Sequence, residues 1–252
     1  LDALNMIYKT IRNPEISNSK NPYISSFIDL SKEKNIPTFP AEDLLLGLID
    51  DQKKVRIKDE TELIRYSYQV AGTVGLMMSH ILGVKNNKAY AFAIDLGIAM
   101  QLTNIARDVL EDAKFDRRYI PGSWCNNILP NNIIVCANSE LSHDKTRITL
   151  AINRILSLAE KYYDSGISGL TYLSKRNHMA IGIAAIIYRL IGRKLKKSGT
   201  KWWKGREVIS LGGKALNSFF IIPILVDRFN KMPIHNITLH EPLKGFFGVN
   251  RM

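Results

Sequence analysis

Apolar residues recur at spacings of three and four along most of the chain, and this period restricts the fold more than any other feature. An α-helix turns once in about 3.6 residues, so the spacing lays an apolar stripe along one helix face. It predicts helices over 1–12, 41–50, 59–83, 86–113, 146–171, 176–198 and 210–230. Asp59 followed by Glu62 reads as a capping pair at the head of the third. Gly83 and Gly199 stand where helices should stop. Alternation of the strand type is scarce, and Ile133-Ile134-Val135 is a weak strand candidate. The segments 13–40 and 114–145 are rich in Asn, Pro and Ser and read as loops. The second is long enough to be a lid or binding element. Without repeats or low-complexity blocks, the pattern predicts one all-α domain over 1–252.

With 252 residues, 46% of them hydrophobic, the chain can bury a sizeable core, which excludes wholesale disorder. The longest apolar run, Phe219 to Val226, contains Pro223 and is far short of the ~20 residues of a spanning helix. Leu1-Asp2-Ala3-Leu4-Asn5 lacks the basic start and apolar block of a secretory leader. Two cysteines, Cys125 and Cys136, make no disulfide framework, so a reducing cytoplasm is expected. The net charge of +12 suits an anionic partner or a merely Lys-rich solvated surface. Its main cluster runs from Arg189 through Arg193, Lys194, Lys196, Lys197 and Lys201 to Arg206 and includes Trp202 and Trp203. No zinc-finger spacing or aromatic RNA-binding signature accompanies it, so no nucleic acid partner is expected. None of the five His residues stands at a metal-ligand spacing.

The stretch Gln101-Leu102-Thr103-Asn104-Ile105-Ala106-Arg107-Asp108-Val109-Leu110-Glu111-Asp112 is the most site-like. On a helix, 101, 104, 108 and 112 share a face, and Asp108 and Asp112 lie one turn apart. Two carboxylates so placed can converge on a hard cation such as Mg²⁺. The same face also reads as an acidic surface paired with Arg107 and Lys114. In a second helix Gly72 and Gly75 stand beside Ala71, each costing ~1 kcal/mol relative to Ala. Something therefore packs close to that backbone, a neighbouring helix or an apolar ligand chain.

Three pieces in order, Tyr66 with Val70 to Gly75, Gln101 to Asp112, and Arg118-Tyr119-Ile120-Pro121, closely resemble the squalene/phytoene synthase family of head-to-head prenyltransferases. Weaker similarity extends the match to roughly 40–216, through Glu42 to Glu62-Leu63, Tyr162 to Leu170, Ala184 to Gly192, and Arg206, Ser210 and Lys214. The wording Asn-Ile-Ala-Arg-Asp is most like bacterial phytoene synthases. The resemblance implies an isoprenoid-synthase-type helical bundle around a central apolar cavity. It also implies a first aspartate-rich motif on a facing helix. Nothing in 1–40 matches it, and Asp50 and Asp51 are adjacent, so their carboxylates would diverge. The expectation is a single domain lacking the N-terminal helices that carry that motif.

The implied reaction condenses two geranylgeranyl diphosphates through a cyclopropylcarbinyl diphosphate to phytoene, in carotenoid biosynthesis. Squalene or dehydrosqualene formation from farnesyl diphosphate, or a catalytically silent binding protein, are the alternatives. By this resemblance Asp108 and Asp112 are metal ligands for Mg²⁺ or Mn²⁺, and no NADPH is expected. Gln101 and Asn104 would bond diphosphate or metal-bound water, and Arg107 would face the diphosphate. Tyr66 and Tyr188 would orient diphosphate or favour cationic charge, or else serve as core tyrosines. Arg118, Tyr119 and Arg206 would close over the substrate, with surface placement the other reading of Arg118. Val70, Ala71, Val74, Gly75, Ala93, Leu96 and Met100 would line the tunnel or fill the core, and small residues would leave room for a twenty-carbon chain. A lipid-soluble product and the basic excess imply peripheral contact with an anionic membrane, through Arg189–Arg206 and 219–226.

Overall fold

The computed structural model describes residues 1–13, 21–140, 142–206, 232–246 and 249. The helix expected over 210–230, the apolar run 219–226, and Ser210 and Lys214 lie outside them.

The helical period is realised as α1 (Asp2–Arg12), α2 (Pro22–Lys34), α3 (Phe39–Asp50), α4 (Glu60–Ser67), α5 (Thr73–Ile81), α6 (Lys88–Arg107), α7 (Val109–Lys114), α8 (Pro130–Asn138), α9 (His143–Ser168) and α10 (Lys175–Lys197). The capping pair holds: Asp59 Oδ1 accepts from the Glu62 amide at 2.9 Å. Gly83 and Gly199 end their helices at φ of 70° and 80°, where a side chain would be strained.

Two expectations fail. The segment 13–40 contains α2, and 114–145 contains α8, which includes Ile133-Ile134-Val135. In both, the residues read as loop formers punctuate a helix. Asn21 caps α2 by accepting from the Tyr23 amide at 3.0 Å, Pro22 opens the helix, and Asn35 closes it at φ 52°. Pro130 opens α8 in the same way, where its missing N–H costs nothing.

Helix α6 is the centre of the bundle. It is apolar on nearly every face, and Phe92, Ile94, Ile98, Ala99 and Leu102 are buried. Among the described residues it is long and apolar enough to cross a membrane, yet 67% of that stretch is buried by the protein itself, as in a core helix. Helix α9 packs along it, with α5 and α10 on its flanks and α3 against α5. The α5–α6 approach is at backbone distance. A Cβ on Gly75 would meet the Ala93 carbonyl oxygen at 2.2 Å, and one on Gly97 would meet that of Ala71 at 2.3 Å. The close packing inferred from Gly75 is thus with a neighbouring helix. Between α4 and α5 the chain makes one π-helical turn, Tyr68–Gly72.

Candidate active site

Helix α6 changes character over one turn. Ala93, Leu96 and Met100 line an apolar cavity of about 360 Å³, closed on the other side by Val70, Ala71, Val74 and Gly75 from the π turn and α5. All seven residues expected at a tunnel therefore face one space. From Gln101 onward the helix turns polar. The backbone dihedrals break at Asp108 (φ −101°, ψ 15°), but the hydrogen bonds run through. The Asp108 amide donates to the Asn104 carbonyl at 2.9 Å, and the Asp112 amide to the Asp108 carbonyl at 2.8 Å. The one-turn relation of Asn104, Asp108 and Asp112 is preserved.

Asp108 is chelated by its neighbour: Arg107 donates Nε to Oδ1 at 2.7 Å and Nη2 to Oδ2 at 2.6 Å. Arg206 joins from beyond α10, with Nε 3.2 Å from Oδ1. Tyr188 of α10 lies near Arg107, at the same end of the bundle. Among the described residues no side chain donates a hydrogen bond to Asp112. Burial, and then the negative charge of Asp108, push its carboxyl up to about 7, and the charge of Arg117 offsets only part of that push. Asn104 Oδ1 and Glu111 Oε2 are buried with no hydrogen-bond partner among the described residues, and the Asn104 amide nitrogen reaches Gln101 Oε1 only at 3.5 Å. The face therefore holds more oxygen acceptors than the protein supplies with donors. An all-oxygen set of this kind fits a hard divalent cation of the Mg²⁺ class.

Asp51, discounted in the sequence because it adjoins Asp50, is the carboxylate that reading missed. The two do diverge: Asp50 is at the surface with Lys53 Nζ at 2.8 Å. Asp51 turns inward and accepts from the Tyr66 and Tyr119 hydroxyls, both at 2.9 Å. Burial raises its carboxyl above the ordinary value, and the two tyrosines offset part of that rise. Its charge is felt at Asp112, so a carboxylate from α3 faces the α6–α7 pair. Tyr66 and Tyr119 stack at 4.8 Å. Tyr119 is brought there by a short pairing of 55–57 with 118: the Arg118 amide donates to the Val55 carbonyl, and the Ile57 amide to that of Arg118. Arg117 Nη2 donates to the Asp51 carbonyl at 3.0 Å.

Arg118 stands apart from this group. It is buried, and its Nη1 donates to the carbonyls of Ile57 and Ile120 at 3.0 and 2.6 Å, holding the loop together. The basic cluster, which runs along the last turns of α10 and past its end, is tied down only in part, and Lys194, Lys196, Lys197 and Lys201 stay exposed. Arg189 bonds Glu160 and Asp164, Arg193 bonds Glu160, and Trp202 is buried.

Residues 1–212 match the family model described as squalene/phytoene synthase. The chain is 35% identical over 231 residues to a 15-cis-phytoene synthase of Enterobacter agglomerans, covering 92% of this chain and 75% of that protein. It is 36% identical over 197 residues to a phytoene synthase of Pseudescherichia vulneris, covering 77% of this chain and 62% of that one. Among solved structures, a dehydrosqualene synthase in complex with ligand superposes with a TM-score of 0.75 at 22% identity, covering 89% of this chain and 78% of that chain.

Proposed function

The chain belongs to the squalene/phytoene synthase family, and we propose that it joins two geranylgeranyl diphosphates head to head into 15-cis-phytoene, releasing two diphosphates. The observation that carries the reading is the continuity of α6. One stretch of helix lines an apolar cavity, and its next turns present Asn104, Arg107, Asp108 and Asp112.

In this reading Asp108 and Asp112 hold a divalent cation, Mg²⁺ or Mn²⁺, which when bound supplies positive charge against the departing diphosphate. Arg107 and Arg206, now on Asp108, bind diphosphate oxygens, for which the planar guanidinium is suited. Tyr66 and Tyr119 have their hydroxyls committed to Asp51, so their rings are what they offer a cation. The C–O bond of one substrate breaks, and its electron pair leaves with diphosphate. A double bond of the second substrate attacks the allylic cation, and proton loss closes a cyclopropylcarbinyl diphosphate. A second ionisation, rearrangement and proton loss give the product. No hydride is needed, so NADPH is not required. The cavity excludes the water that would otherwise trap either cation.

Val74 and Met78 line the cavity and are also exposed at 40% and 37%. Peripheral contact with a membrane at this mouth would let the hydrocarbon leave without crossing water.

The test is incubation of the protein, expressed from its complete reading frame, with geranylgeranyl or farnesyl diphosphate and Mg²⁺, with and without NADPH. Phytoene from the longer substrate without NADPH is expected. Squalene or dehydrosqualene from farnesyl diphosphate, with no phytoene, would replace the substrate, and no product from either would leave a silent binding protein. Ala93→Phe, which intrudes on the cavity, should slow the longer substrate about tenfold more than the shorter, at ~0.8 kcal/mol per CH₂ left unburied. Gly75→Phe is unsuited to this test, because its side chain would strike the Ala93 backbone.

A further inference from the structure

Midway along α6, well before the aspartate-bearing turns, a second polar cluster lies inside the core. Asp95 is fully buried. His235 Nε2 lies 2.8 Å from its Oδ2, and His240 Nε2 lies 2.8 Å from its Oδ1. Ser165 of α9 donates its hydroxyl to Oδ2. The histidines come from the segment 232–246, separated from Asp95 by 140 and 145 residues. That segment has one 3₁₀ stretch, Ile237–Leu243, and lies as a strap against α4, α6 and α9. The three donor atoms fall within 4.8 Å of one another. Both imidazoles also line a cavity of about 470 Å³ that is separate from the apolar one, apart from a shared wall at Phe92.

We propose that Asp95, His235 and His240 form a binding site for a divalent transition-metal ion of the Zn²⁺ class, which clips the C-terminal strap to the core. Two imidazoles and one carboxylate are a borderline donor set, suited to Zn²⁺ and poorly matched to Mg²⁺. The site is thus chemically distinct from the all-oxygen face at Asp108 and Asp112. Each imidazole Nε2 lies against the ionised carboxylate, so it carries the N–H there. On metal binding each ring takes the other neutral tautomer, its proton on Nδ1, and the two freed Nε2 lone pairs and a carboxylate oxygen hold one ion. Ser165 already supplies the outer hydrogen bond that orients a ligating carboxylate. The cavity beside the imidazoles leaves the remaining coordination position to water or a small anion. Closing a chain segment this long onto the core with one ion is where such a clip gains most.

The experiment is dialysis of the full chain against Zn²⁺ in excess Mg²⁺, followed by metal analysis, thermal unfolding and the visible spectrum of the Co²⁺ form. About one Zn²⁺ per chain is expected, with a Tm that rises with free Zn²⁺. The Co²⁺ form should show ligand-field bands without thiolate charge transfer, which excludes Cys125 and Cys136 as the ligands. His240→Gln keeps a hydrogen-bond donor and should weaken Zn²⁺ more than about tenfold, since losing even an outer-shell partner costs that much. A chain that leaves dialysis free of zinc overturns the proposal and leaves a clamp of hydrogen bonds alone. So does zinc retained by a folded His235→Gln/His240→Gln variant. Should that variant fail to fold, a thiolate band in the Co²⁺ spectrum of the parent chain is the overturning result.

Discussion

One continuous run, α6 into α7, carries carboxylates in two opposite settings. At Asp95 the protein supplies every partner the carboxylate needs. Burial pushes its carboxyl up, but hydrogen bonds from His235 and His240 more than offset that and hold it below the ordinary range. At Asp112, one turn beyond Asp108, no described side chain donates a hydrogen bond. Burial and the charge of Asp108 leave the carboxyl at about 7, amid oxygens that lack donors, and the charge of Arg117 offsets only part of the rise. A carboxylate held by two imidazoles anchors structure, through their protons or through the transition-metal ion proposed there, whereas a deprived one is poised for a hard cation that arrives with substrate. Asp95 is fully buried and Asp112 only partly so, which makes donor supply, rather than depth, the reason that Asp112 is the group pushed up.

The largest effect expected is on the deprived side. Asp108→Ala removes a metal ligand and leaves Arg107 without its partner, and should lower turnover by at least about a thousandfold, several kcal/mol of transition-state stabilisation. Circular dichroism should be unchanged. Product formation near that of the parent chain at saturating Mg²⁺ would break the contrast. On the saturated side the order reverses. Asp95→Ala empties a buried hub and should cost about 3 kcal/mol, lowering Tm by roughly 6–12 °C. A thermal scan that does not move would mean that the hub holds nothing.

The smallest effect sharpens the contrast through pH. The folded-state value of Asp112 lies above its ordinary 3.8, so between about pH 4 and 7 the folded chain keeps a proton that the unfolded chain releases. Its contribution therefore makes stability fall as pH rises through that window. Asp112→Asn removes this loss. In Mg²⁺-free urea titrations the variant should gain about 1–2 kcal/mol over the parent at pH 8 and little at pH 4. A gain independent of pH would show that Asp112 is not the deprived group.

Sequence alone determined what is local. The 3.6-residue period located most helices, because an apolar stripe is written in consecutive residues. The spacing of Asn104, Asp108 and Asp112 specified one face, because hydrogen bonds four residues apart keep it intact across the break at Asp108. The small and apolar residues of α5 and α6 named the cavity wall. Asn21, Pro22 and Pro130 carried real punctuation, but a single Asn or Pro marks a turn and a helix start alike. Only the tertiary structure decided which of two adjacent aspartates enters the site, because Tyr66 of α4 and Tyr119 of the loop after α7 reach Asp51 from 15 and 68 residues away. Only it could join Asp95 to His235 and His240. Their spacing matches no local pattern, since the partner that makes them a cluster lies 140 residues away and meets them only when the strap packs on α6.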